Sequence, residues 1–281
     1  MQRISRIGLA VAAAALVAGG LQVVTPEPAL AVPGLLPPVV SFAPPNALSW
    51  NAHCPPEAPR IVGGGGSISD GGLRRAFFKS MQPIRNFNNT VRDAFIVGVV
   101  RPPGFTGTIN VTAYAMCAPT ASVPGHEIIQ GVPTSLSSRT AQDGVAVCTP
   151  GKRVIGFGGG VLSGGSEVGL QTVRSSGPRD ISRVFAREDA DGYNLPWQAV
   201  AFAVCMTTSD TRPPVGAAIP GSTGASLCPT SPNTFVHGPG GGAWDGIGLI
   251  HAIIPSADRR RTDVTITAGS TAVLVSTVCM R

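Results

Sequence analysis

Three times along this 281-residue chain the same order of residues returns. A Cys is followed by an apolar pair, a run of glycines, a Gly-Leu pair, and an alternating apolar stretch that ends in a second Cys. The segments are 54–117, 148–205 and 228–279. The apolar pairs are Ile61-Val62, Val154-Ile155 and Phe235-Val236. The first glycine of each run, Gly63, Gly156 and Gly238, stands 9, 8 and 10 residues after its Cys. The Gly-Leu pairs are Gly72-Leu73, Gly169-Leu170 and Gly248-Leu249. Repetition of this kind argues for one supersecondary unit used three times around a shared core.

The six cysteines are Cys54, Cys117, Cys148, Cys205, Cys228 and Cys279. An even count in an exported chain reads as a disulfide framework. Two pairings respect the threefold order. One closes each unit on itself: Cys54 with Cys117, Cys148 with Cys205, Cys228 with Cys279. The other links the units: Cys117 with Cys148, Cys205 with Cys228, Cys54 with Cys279. The first is preferred because it makes each unit self-contained.

Export is read from the N-terminus. Arg3 and Arg6 precede an uncharged run, Ile7 to Gly20, and Ala29-Leu30-Ala31 supplies a small-residue cleavage site. Gln22, Pro26, Glu27 and Pro28 cut the run too short for a membrane span. Residues 1–31 are therefore expected to be a signal peptide, cleaved after Ala31. The product would be secreted, with no transmembrane segment. Residues 32–53 read as a Pro-rich extended lead-in, and 54–281 as a single domain of three repeats.

The closing stretches, 111–117, 198–205 and 273–279, alternate with period two and predict strands. In the first two, the face shared with the Cys carries alanine (Ala113, Ala115, Ala199, Ala201, Ala203). The opposite face carries Tyr114, Met116, Val200, Phe202 and Val204. The bulky face is expected to meet the core, with the small face under a disulfide and a loop. Residues 126–130 and 145–147 also read as strands, inside otherwise Pro, Gly, Ser and Thr-rich connections. No segment of the mature chain shows a long 3.6-residue apolar period. The expected fold is all-β: three pseudo-symmetric, disulfide-stapled repeats.

The run Cys148-Thr149-Pro150-Gly151-Lys152-Arg153-Val154-Ile155-Gly156 and the closing Ala203-Val204-Cys205 resemble a Cys-Pro/Gly-Gly-Gly repeat of exported actinobacterial proteins. The Ala-rich leader and the preference for Arg over Lys fit a high-GC bacterial source. The threefold layout is also similar to the vitelline membrane outer layer protein I family, whose fold is a β-prism of three sheets about a pseudo-threefold axis. The resemblance spans roughly 54–279 and is specific at the Cys and Gly positions. The first and third units lack the Gly-Lys-Arg run. What it implies is a β-prism-like fold and a structural or glycan-associated extracellular role without an agreed catalytic site.

Chemical motifs add little. Arg60-Ile61-Val62-Gly63-Gly64 copies the activation site of trypsin-like proteases, but no Gly-Asp-Ser-Gly-Gly follows, and His53 precedes it in the wrong order. The four histidines, His53, His126, His237 and His251, lack metal-ligand spacing and read as surface or turn residues. Gly238-x-Gly240-x-x-Ala243 is a poor dinucleotide fingerprint because Pro239 interrupts it. Glu188, Asp189, Asp191 and Asp245 are carboxylates of the right type for glycoside hydrolysis, with no pair selected by spacing. Arg259-Arg260-Arg261 and the Arg179, Arg183, Arg187 set read as solvated loops. Trp197 leads into a closing strand and reads as core. Trp244, with Asp245, reads either as a platform for a sugar ring or as a buried strand-end residue.

The formal charge of +6 is scattered and aromatics make up 5% of the chain, which argues against nucleic-acid binding. The expected role is a secreted, non-catalytic structural or binding module. It would contact an envelope glycan or another extracellular protein through Trp244 and Asp245, without metal or cofactor. The alternatives are a secreted polysaccharide hydrolase using loop carboxylates, and an effector or inhibitor of another protein.

Overall fold

A computed structural model describes residues 36–281 except 88–90, 178, 211 and 232. The leader and its cleavage site lie outside the described residues. Each repeat is a six-strand unit. The first holds β1 (Val39–Phe42), β2 (Ser49–His53), β3 (Arg60–Ser69), β4 (Phe77–Ile84), β5 (Ala94–Val100) and β6 (Asn110–Ala118). The second holds β7 (Glu127–Gln130), β8 (Ala141–Val147), β9 (Lys152–Leu162), β10 (Val168–Ser176), β11 (Ile181–Glu188) and β12 (Gln198–Thr207). The third holds β13 (Val215–Pro220), β14 (Thr223–Leu227), β15 (Phe235–Ala243), β16 (Ile250–Pro255), β17 (Arg261–Ile266) and β18 (Ala272–Met280). Each unit thus begins two strands before its first Cys. The Pro-rich lead-in carries β1 and β2, and the Ser/Thr-rich connection before Cys228 carries β13 and β14. The strands expected around 126–130 and 145–147 are β7 and β8.

The eighteen strands form three six-stranded sheets, and no sheet belongs to one repeat. Sheet I runs β1-β6-β3-β16-β17-β14, sheet II β13-β18-β15-β10-β11-β8, and sheet III β2-β5-β4-β9-β12-β7. Each repeat gives its first, sixth and third strands to one sheet and its fourth, fifth and second to another. The exchange is cyclic, which makes the fold β-prism-like. The repeats are joined by short antiparallel ladders at Gly66 with Ile253, Gly159 with Met81, and Gly241 with Val173. The disulfides are Cys54–Cys117, Cys148–Cys205 and Cys228–Cys279, so each repeat is clamped on itself.

The glycine runs exist because three strands meet on the axis. In each third strand a β-bulge skips one residue opposite the closing Cys: Val62, Ile155 or His237. The glycine after each bulge touches the bulge carbonyl of the neighbouring repeat. A Cβ on Gly63 would lie 2.1 Å from His237 O, one on Gly156 2.1 Å from Val62 O, and one on Gly238 2.5 Å from Ile155 O. Backbone packs on backbone there, and no side chain fits. The bulges also realign the third repeat: its counterpart of Ile61-Val62 is Val236-His237, rather than Phe235-Val236. The Gly-Leu pairs likewise do not superpose. A second bulge skips Lys79, Gln171 and His251, which aligns Gly169-Leu170 with Phe77-Phe78 and Leu249-Ile250 and leaves Leu73 exposed in a turn.

The closing strands are buried on both faces: Met116, Val200, Phe202 and Val204 of the bulky face are buried, and the alanine face, expected under a disulfide and a loop, is turned to the core between sheets. Ala113 and Ala115 of β6 and Ala199, Ala201 and Ala203 of β12 are fully buried and face the interior. Ala113 and Ala115 pair with Gly66 and Gly64, whose missing Cβ atoms point at Phe78 and Phe95. Small residues line this inner face because the large side chains of the fourth and fifth strands fill the core between sheets. Tyr114, on the other face, is half-buried.

Candidate functional site

Burial sorts the polar side chains singled out in the sequence. The carbonyls before the bulges of the second and third repeats are met by arginine. Arg259 Nε and Nη2 donate to Val236 O at 3.0 and 2.9 Å, and Nη1 donates to Leu36 O at 3.2 Å. Arg179 Nε and Nη2 donate in the same way to Val154 O. Both arginines have positive φ at their hairpins and are buried, so they are not solvated loop residues. Burial brings the Arg259 guanidinium down to about 10. In the first repeat His126 Nε2 serves the equivalent Ile61 O at 2.7 Å, and buried Asp93 accepts from Ile61 N at 3.1 Å.

His237 and His251 are also buried, contrary to the surface reading. His237 occupies the bulge position held by Val62 and Ile155, close to Arg259 and Arg179. Burial, helped by those two charges, lowers its pKa to about 3. His251 Nδ1 lies 2.9 Å from Ala76 O. Among the described residues no group of three or more His, Cys, Asp or Glu could hold a metal ion. The protease-like Arg60-Ile61-Val62 segment lies within β3, with Ile61 and Val62 fully buried at the axis.

The carboxylates part company. Glu188 accepts from the buried Trp197 Nε1 at 3.0 Å, so both belong to the core. Asp245 accepts from Ser270 Oγ at 2.6 Å, Thr271 N at 2.9 Å, and the Thr271 hydroxyl. The Ser270 and Thr271 hydroxyls hold its carboxyl down to about 2. Asp245 is therefore an anchor between two loops rather than a group presented to a ligand. Asp189 and Asp191 line an open hollow of about 500 Å³ at one end of the axis, together with Leu73, Arg74, Arg75 and Ile247. Burial pushes the Asp189 carboxyl up, and the Asp191 and Glu167 charges act in the same direction. Phe77 and Leu249, which cluster with the buried Val100, line this hollow as well.

Trp244 is 57% exposed, so it is not a buried strand-end residue. It follows β15 directly, and its loop is tied down on both sides. Asp245 holds the 270–272 turn. Gly246 O accepts from Gln171 Nε2 at 2.9 Å and from Arg187 Nη1 at 3.0 Å. The indole borders a groove of about 190 Å³ on the outer face of sheet II, with Gln171, Thr172, Arg174, Phe185 and Leu274. Register places Thr172 opposite Phe185 and Arg174 opposite Arg183. An aromatic held in place beforehand loses little freedom when a ring stacks on it. Of the two residues singled out in the sequence, one forms this surface and the other positions it. Arg174 and Phe185 were missed, because only the pairing of β15 with β10, and of β10 with β11, brings them near Trp244.

These features define a class: an all-β, disulfide-stapled, threefold scaffold that presents an exposed tryptophan on an anchored loop beside a groove. No protein-family model matches the chain, and a search of curated proteins finds no match.

Proposed function

We propose that this chain is a secreted, non-catalytic binding module of the extracellular space or cell envelope, and that it holds a glycan against the outer face of sheet II. The observation that carries this reading is Trp244, exposed and anchored from two sides over a groove with hydrogen-bonding walls. A sugar ring offers an apolar face to an indole and hydroxyls to Gln171 and Arg174. The signal-like leader, three disulfides and the absence of any membrane-crossing helix among the described residues are compatible with export. The resemblance to exported repeat proteins and to the vitelline membrane outer layer protein I family supports the same reading.

The test is co-sedimentation of the purified protein with insoluble polysaccharide from the envelope of the producing organism. Wild type is expected to pellet, and Trp244→Ala to remain in the supernatant with an unchanged melting temperature. Equal retention of both proteins would refute the site. The rival hydrolase is favoured by Asp189 and Asp191 in the axial hollow. Release of soluble sugar by wild type, abolished in Asp189→Asn, would replace the binding reading.

A further inference from the structure

We infer that the glycan held on this face is acidic, with its anionic group seated on Arg174. The inference rests on the glycan reading above and adds the ligand's chemical class. Thr172, Arg174 and Ser176 alternate on the outward side of β10 and span about 14 Å at the usual rise of a strand. Two grooves meet at Arg174. One, of about 190 Å³, runs from Trp244. The other, of about 220 Å³, continues past Ser176 and Ser276. Leu274 of β18 walls both, and β15 between β10 and β18 contributes only glycine at 240–242. Together they form a track longer than one sugar ring, with Arg174 at its middle.

The charge on that track is only partly balanced: a single carboxylate, Asp143, pairs with Arg183 and also feels Arg174 from farther off, so two arginines share it. Arg183 is paired with Asp143 at 2.9 Å, and Arg187 donates to Gly246 O. Among the described residues no carboxylate lies within ion-pair distance of Arg174. Its guanidinium carbon sits 5.6 Å from the centre of the Phe185 ring, and its Nε is buried without a hydrogen-bond partner. A neutral sugar laid along the track would strip water from this cation and return no charge, which is costly. A carboxylate, sulfate or phosphate substituent would instead pair with the planar fork through charge-assisted hydrogen bonds. Stacking on Trp244 sets where the chain lies, and Arg174 selects which chains stay.

The experiment is a glycan array of matched pairs, each acidic oligosaccharide beside its neutral counterpart, with the carboxyl esterified or the sulfate or phosphate absent. The strongest pair is then measured by calorimetry in 50 and 200 mM NaCl. Acidic members are expected to bind at least tenfold tighter and to weaken with salt. Arg174→Gln is expected to abolish the preference, so that acidic and neutral members bind alike and the salt dependence disappears. Trp244→Ala is expected to weaken both. Equal binding of acidic and neutral members, unaltered by Arg174→Gln but lost in Trp244→Ala, would overturn the acidic class and leave the glycan site standing. Absence of binding to every member, or binding untouched by Trp244→Ala, would overturn both.

Discussion

Replacing His237 by valine should remove a large part of the chain's sensitivity to mild acid. The position suits the change, because its counterparts in the other repeats are Val62 and Ile155, both fully buried. Burial, with Arg259 and Arg179 nearby, takes the His237 pKa from 6.5 to about 3. The folded state therefore binds fewer protons than the unfolded chain across this interval. The stabilisation is complete above about pH 6.5 and is lost as pH falls toward 3. At pH 5 the unfolded imidazole is nearly all protonated while the folded one is neutral. One and a half pH units below 6.5 correspond to about 2 kcal/mol. His53 and His126 are also shifted down by burial, but they are present in both proteins and cancel in the comparison. The assay is urea unfolding with disulfides intact, at pH 7.5 and pH 5.0, for wild type and His237→Val. Between the two pH values wild type should lose about 2 kcal/mol more than the variant, at unchanged m-value. At pH 7.5 the variant forfeits the 3.2 Å contact of Nδ1 with Phe235 O and some buried ring volume, a constant offset that leaves the pH-dependent difference intact. Parallel losses in the two proteins would refute the assignment of a buried, neutral imidazole at the axis.

Glycine at the axis should be irreplaceable where backbone meets backbone. Gly156→Ala places a Cβ 2.1 Å from Val62 O and should abolish recovery of folded protein. Gly160→Ala meets only the flexible Gln82 amide and aligns with Ser67 in the first repeat, so it should express normally. Arg259→Met leaves Val236 O and Leu36 O without their side-chain donor and should cost about 2–3 kcal/mol by urea denaturation. Arg261→Met breaks only an exposed pair with Asp263 and should cost less than about 1 kcal/mol. Removing Cys148 and Cys205 together opens a loop of 57 residues and should lower stability by about 4 kcal/mol from loop entropy. Peptide mapping without reductant should recover the three within-repeat links and no others.

Several features were legible in the residues because they follow from local chemistry. Period-two alternation marked the closing strands, and the recurrence of Cys with glycine marked a threefold unit; closure of each unit on itself was the preferred of two pairings, and the structure decides for it. Trp244 was singled out by its place after a glycine run, but whether it was exposed or buried stayed open until the fold decided it. Other features needed the assembled sheets. β1, β2, β13 and β14 are short, polar or Pro-flanked edge strands, and such segments carry almost no pattern of their own. The alanine face of β6 and β12 was expected under a disulfide and a loop. Its true environment was set by Phe78 and Phe95, which lie far off in sequence.

What the amino-acid order alone determined is a threefold recurrence of β-patterned units, with six cysteines whose order admits two threefold pairings. Alternation, turn chemistry and cysteine spacing are local properties, and each unit displays them independently. The tertiary structure decided how the units interlock: every sheet takes three strands from one repeat and three from another, and three bulges converge on a common axis. That convergence makes particular glycines obligatory, buries Arg179, Arg259 and His237 against carbonyls the bulges leave open, and sets Arg174 beside Trp244. Such neighbours come from strands distant along the chain. Hydrogen bonding between strands reads the backbone and not the side chains, so no residue pattern announces which strands will meet.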